Sequence, residues 1–129
     1  MSDFANVVTR SVTSAADQRT RQYTIQRAAA AGTCDISSNA AASHLLGPIG
    51  VLINKPNTGQ AATIAYAGEV KVVAGGTVTA NALVTNNASG RAANATSGQM
   101  VIGRALETAT TDGEVVRMQL MSPTAMVRT

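Results

Sequence analysis

The side chains that could carry chemistry in this sequence are few and stand apart. His44 is the single histidine and Cys34 the single cysteine. A catalytic or metal-binding histidine needs partners, and no Cys, Asp or Glu lies within a few residues of His44, so a histidine packed in a loop or at the surface is the better reading. Cys34 has the same weakness as a nucleophile. A free cysteine without a neighbouring base is ordinarily a small buried apolar residue, and one cysteine permits neither an intrachain disulfide nor a thiol-based metal site. Asp112 and Glu114 flank Gly113 and read as turn and solvent residues, not as an acid and base pair. Gly75-Gly76 lacks the GxxxxGK[ST] pattern of a phosphate loop, and Thr77–Thr79 reads as strand where such a loop would open a helix. Lys55 and Lys71 stand alone and default to solvated side chains. Met118, Met121 and Met126 fit either a core or a soft docking surface. No catalytic residue, cofactor site or metal site is assigned.

The elements that would hold such residues are short strands. From Ile49 to Arg91 runs of β-branched residues at Gly50–Ile53, Ala62–Tyr66, Val70–Val73, Thr77–Thr79 and Leu83–Thr85 are cut by Pro56–Gly59, Ala67–Gly68, Gly75–Gly76 and Asn86–Gly90. That punctuation predicts strands and tight turns. Alternation supports it, with Ile64 and Tyr66 on one face and Thr63 and Ala65 on the other. Downstream, Arg91–Ala95 continues a hairpin, Gln99–Leu106 is a strand with a bulge or close approach at Gly103, and Thr110–Gly113 is an Asp-Gly turn. Glu114–Leu120 then places Val116, Met118 and Leu120 on one face.

Upstream, Arg21–Arg27 reads as an alternating strand with Tyr23 and Ile25 on one face, and Cys34–Ile36 as a short strand. Ala28–Ala31 before Gly32 suits one helical turn or a linker equally. Ser37–Ser43 suits a surface loop. Met1–Thr20 mixes Phe4, Val7, Val8 and Val12 with small polar residues, and is expected as an extended arm with at most a short strand or turn. The division is thus an arm over 1–20 and a single β-rich domain over 21–129.

Length and composition bound the core. With 129 residues one domain is expected, yet 24 of its apolar residues are Ala and Phe4, Tyr23 and Tyr66 are the only aromatics. Ala removes little area from water at about 25 cal/mol per Å², so support from neighbouring subunits is inferred. The net charge is +3, but Arg19, Arg21 and Arg27 form the only basic cluster and no aromatics interleave with it, which argues against a nucleic-acid partner. No apolar run has signal-peptide or membrane-span length, so a soluble protein made in a reducing cytoplasm is expected.

Several segments carry a family resemblance. Asn54-Lys55-Pro56 with Gly59–Ala62, Lys71-Val72 with Ala74–Gly76, and Gly103 with Ala105–Glu107 resemble the DUF2190-like small capsid decoration (cement) proteins of tailed bacteriophages. Val8–Val12 and Gln22-Tyr23 fit the same pattern, while Ala28–Leu46 departs from it. The resemblance implies an all-β fold, a small β-barrel or β-sandwich (β-tulip-like) with an extended N-terminal arm. It implies a non-enzymatic cement protein on the outer surface of a bacteriophage head, bridging major capsid protein subunits, as a homotrimer at three-fold or quasi-three-fold positions. Neither a cofactor, a membrane nor nucleic acid enters that role.

The physics of such a role is shared footholds, whose modest energies combine through effective concentration. Phe4, Val7 and Val8 would lie along capsid strands, with Arg10, Arg19 and Arg21 at the rim, where charge steers encounter. A receptor- or glycan-binding module displayed on a virion or cell surface is the alternative, and the scarcity of aromatics counts against it.

Overall fold

The computed structural model describes residues 7–29, 32–37, 48–96, 99–120 and 126–127. Every regular element among them is a strand: β1 (Val8–Ser14), β2 (Ile25–Ala28), β3 (Thr33–Ile36), β4 (Pro48–Leu52), β5 (Ala61–Val73), β6 (Leu83–Asn86), β7 (Ala92–Asn94), β8 (Met100–Val101), β9 (Gly103–Ala105), β10 (Val115–Leu120) and β11 (Met126–Val127). Nine of them form one sheet in the order β1-β3-β2-β4-β5-β10-β9-β6-β7, and β8 pairs with β11. The expected all-β class is therefore what the chain adopts.

One extra pairing gives the sheet its shape. β1 also pairs antiparallel with β5, from Thr9 opposite Ala65 to Thr13 opposite Ala61, so β1, β3, β2, β4 and β5 close into a ring. Alternation along each strand turns Val12, Ser14, Gln26, Cys34, Leu52, Ala62 and Ile64 inward. Cys34, Leu52, Ala62 and Ile64 are buried there as a small apolar cluster, with Val12 and Ile49 packed on it. The second half of β5 continues with β10, β9, β6 and β7, and a parallel bridge between Ala74 and Ala92 brings the last of these back to the first. This half holds the larger cluster, including Val70, Val72, Val84, Ile102, Val116, Met118 and Leu120.

β5 serves both halves by changing face midway. Consecutive residues Val8 and Thr9 of β1 stand opposite Ala67 and Ala65, which leaves Tyr66 as the extra residue of a β-bulge. Before the bulge, Ala62 and Ile64 face the ring and Ala65 faces the larger cluster; after it, Val70 and Val72 face the larger cluster. An odd position points there first and even positions afterwards. Ala67–Gly68, expected as a turn, is thus a continuation of the strand, with Gly68 at φ 100 absorbing the irregularity.

Other expectations shift in smaller ways. The strand expected over Arg21–Arg27 begins only at Ile25, because Tyr23 takes φ 67 in a turn and the alternation fails: Thr24, Ile25 and Gln26 are all buried. Thr77–Thr79 reduces to one bridge, Val78 with Ala109. Gln99–Leu106 divides into β8 and β9 around Ile102. Ala29 N–H donates to the Thr33 carbonyl (3.0 Å) with Gly32 at φ 74, so β2 and β3 form a hairpin where a helical turn or linker was open. Of the stretch expected as an arm, residues 8–14 are ring members and Ser14 and Gln18 are buried. Ser37 is buried, and the rest of the loop expected at 37–43 lies outside the described residues.

Candidate contact surface

The residues that tempt a chemical reading are dispersed by the fold. Cys34 is fully buried in the ring, and Gln18 Nε2 approaches its Sγ (3.9 Å) while donating to Ser14 Oγ (2.9 Å). Burial pushes the Cys34 thiol up from its ordinary value, which keeps it protonated and poorly nucleophilic. His44 and Met121 lie outside the described residues. Asp112 accepts from Arg91 Nη1 (2.6 Å) across the surface, and Glu114 Oε1 accepts the Thr110 N–H (3.2 Å), closing the Asp-Gly turn. Gly75 abuts the Asn87 side chain and Gly76 takes φ 123, both within a turn. Lys71 faces outward opposite Arg117, and Met118 is core. Among the described residues no group of three His, Cys, Asp or Glu side chains is placed to hold a metal, and no helix is long and apolar enough to cross a membrane.

The six contact candidates do not form one set. Phe4 lies outside the described residues. Val7 is half-buried against the larger cluster, which makes it a core residue. Val8, 44% exposed, and Arg10 stand on β1 with Thr9 and Ser11, all accessible. Arg19 grips Asp17 with two bonds (Nε to Oδ1 2.9 Å, Nη2 to Oδ2 2.8 Å), holding that carboxyl down at about 2. Arg21 pairs with the half-buried Asp35 (3.2 Å). Each of these guanidiniums is partly satisfied within the chain, and both pairs are exposed enough to contribute little to stability.

Two shallow clefts flank these residues. One of about 490 Å³ follows β1 and is lined by Arg10, Ser11, Val12, Thr13, Gly32, Gly59 and Ala61. The other, of about 290 Å³, is lined by Thr20, Arg21, Thr24, Ile36, Ala88, Ser89 and Arg91. Arg10 and Arg21 therefore belong to different surfaces, not to one rim. A further outward face lies across β5 and β10, where Val73, Lys71 and Glu69 oppose Val115, Arg117 and Gln119, and Arg117 Nη1 meets Glu69 Oε1 (3.2 Å). Nothing in the strand pattern of β5 or β10 marked that face as a contact surface, because outward positions of any half-buried strand read as polar and mixed.

Comparison with known proteins places the fold. No family model matches the chain, so the likeness to the decoration-protein family finds no support there, and no curated protein matches either. Among solved structures, the N base of head fiber gp8.5 of bacteriophage phi29 matches with a TM-score of 0.65 at 18% identity, over 93% of this chain and 98% of that one. The two chains share a fold along nearly their whole lengths.

Proposed function

We propose that this chain is a non-enzymatic structural protein of a bacteriophage virion, bound to the outer surface of the head. There it bridges neighbouring major capsid protein subunits as a cement protein, as a homotrimer at three-fold or quasi-three-fold positions. The observation that carries this reading is the fold shared end to end with a base domain of a phage head fiber. The scattered arrangement of its titratable side chains supports it, since Asp17, Asp35 and Asp112 are each engaged by an arginine in a separate surface pair.

The neighbour's description favours a second reading in which the domain is the mount of a fiber rather than a clamp between subunits. Incubating purified protein with undecorated, expanded heads tests both. Saturable, stoichiometric binding that raises the temperature at which heads rupture supports cementing; binding without added resistance supports a mount. Protein that binds glycans and ignores heads would overturn both.

A further inference from the structure

We propose that the open edge of β1, from Val8 to Val12, receives an extended acidic segment of the head shell protein as an added strand. This rests on the reading above for the identity of the partner. The geometry begins with which backbone groups are spoken for. Ser14 N–H donates to the Gln60 carbonyl (2.9 Å) on the β5 side, and Thr13 N–H to the Gly32 carbonyl (3.2 Å) on the other. Antiparallel ladders alternate, so Val12 and Arg10 turn their N–H and C=O groups to β5 while Ser11 and Thr9 turn theirs away.

On that other side β3 pairs only with Thr13 and Ser14, because its hairpin turns back at Gly32. No strand among the described residues runs beside Val8–Val12. Strand edges of this kind are ordinarily blunted by proline, by several charges or by shortness. β7, at the far end of the sheet, is three residues long, whereas β1 is seven residues with no proline and Arg10 as its sole charge. Its exposed side chains are otherwise Val8, Thr9, Ser11 and Thr13, all strand-compatible.

The cleft beside this edge has room for a chain. Its flanks include Gly32 and Gly59, at neither of which a side chain would meet a neighbouring atom, so the approach to Ser11 is unobstructed by these turns. No acidic residue lines it, and Arg10 does. A carboxylate opposite Arg10 complements the edge, and a second copy of β1, which carries no acidic residue, cannot supply one in any register. The acidic partner is the better match.

Ser11→Pro isolates the idea, because it removes an N–H that points to the open side and leaves the ladder to β5 intact. On expanded heads, Ser11→Pro is expected to lower affinity by at least about tenfold with an unchanged melting temperature, since an added strand loses a bond and meets the proline ring. Arg10→Glu should weaken binding and reduce its salt dependence, and the amides of Thr9 and Ser11 should gain hydrogen-exchange protection on heads. If Ser11→Pro does not fold, the exchange measurement and Arg10→Glu decide. Wild-type affinity in both variants, or no added protection at Thr9 and Ser11, overturns edge docking while leaving head binding intact. A concentration-dependent dimer of the free protein that Ser11→Pro abolishes would overturn it in favour of self-pairing. Wild-type protein that ignores heads would overturn it together with the reading beneath it.

Discussion

Gly50 on β4 lies so close to Ala65 on β5 that a Cβ at Gly50 would collide with the Ala65 carbonyl oxygen and with Ile64 Cγ2. The contact falls where β5 prepares its bulge at Tyr66, so neither strand can retreat without breaking the ladder between Val51 and Ala65. Gly50→Ala should therefore destabilise by about 1–3 kcal/mol, read as a lower urea midpoint at constant slope. Gly103→Ala should behave alike, since its Cβ would strike the Gln119 carbonyl and the Met118 side chain. An unchanged midpoint in both would show that the strands have slack.

Removing Tyr66 altogether makes a sharper test of the bulge. Deleting one residue there restores simple alternation, and Val70 and Val72, both 1% exposed, would then point away from the larger cluster. Two buried valines turned outward forfeit about 3 kcal/mol or more before any repacking cost, so the deletion should not yield a cooperatively folded protein. Tyr66→Phe keeps the spacing and should fold. Equal thermal transitions for the two variants would refute a parity role.

How much of this was legible beforehand follows from how local each signal is. The face of Val116, Met118 and Leu120 and the Asp112-Gly113 turn rest on neighbours in sequence, and both appear where alternation and turn chemistry put them. Gly68 misled because a glycine at positive φ serves a bulge as well as a turn, and only the register of β1 against β5 separates the two. Ring closure by residues about fifty positions apart leaves no local trace. Neither does the stretch of β1 that no described strand covers on the side away from β5, since a covered strand edge and an uncovered one share the same composition. Tyr23 at positive φ is held by tertiary bonds, its N–H to Leu52 and its carbonyl from Val73 (2.6 and 2.9 Å), against its own preference.

Those ring bonds change what an N-terminal truncation should do. Cutting through Thr20 removes β1 together with buried Ser14 and Gln18, and leaves Cys34 and the inward face of β5 uncovered. Such a chain should lose its cooperative melt, whereas deletion of residues 1–6 spares every described strand and should keep it. Calorimetry on the two truncations gives the answer. A folded product lacking residues 1–20 would mean that the ring is dispensable.

Cys34 links the ring to pH. Its thiol ionises at a higher pH in the folded chain than in the unfolded one, because burial disfavours the thiolate. The folded state then holds its proton where the unfolded state has lost it, so the contribution is full below the ordinary thiol value of 9.0 and fades as pH rises beyond it. Wild type should lose more stability between pH 8 and pH 10 than Cys34→Ala does, because that range brackets the ordinary thiol value. Parallel curves for the two proteins would mean the thiol is already solvated. Thiol reagents should label Cys34 only at the rate of opening.

The two halves of the molecule are also joined by a buried polar pair whose loss should be felt in both. Ser37 Oγ donates to Asn86 Oδ1 (3.0 Å), Asn86 Nδ2 donates to the Ser37 carbonyl (2.6 Å), and the two residues are 0% and 3% exposed. Ser37 follows the ring strand β3 and Asn86 ends β6, so the pair ties one cluster to the other. Replacing Asn86 with Ala strands the Ser37 carbonyl and hydroxyl in a dry site, at a cost of about 1–3 kcal/mol. Asn86→Asp should cost more, since it removes the amide donor and brings a charge into the same site. If the pair is a true seam, Asn86→Ala should raise hydrogen exchange at Cys34 in the ring as well as at Val84 beside the substitution. Exchange that rises at Val84 alone would mean that the halves open independently.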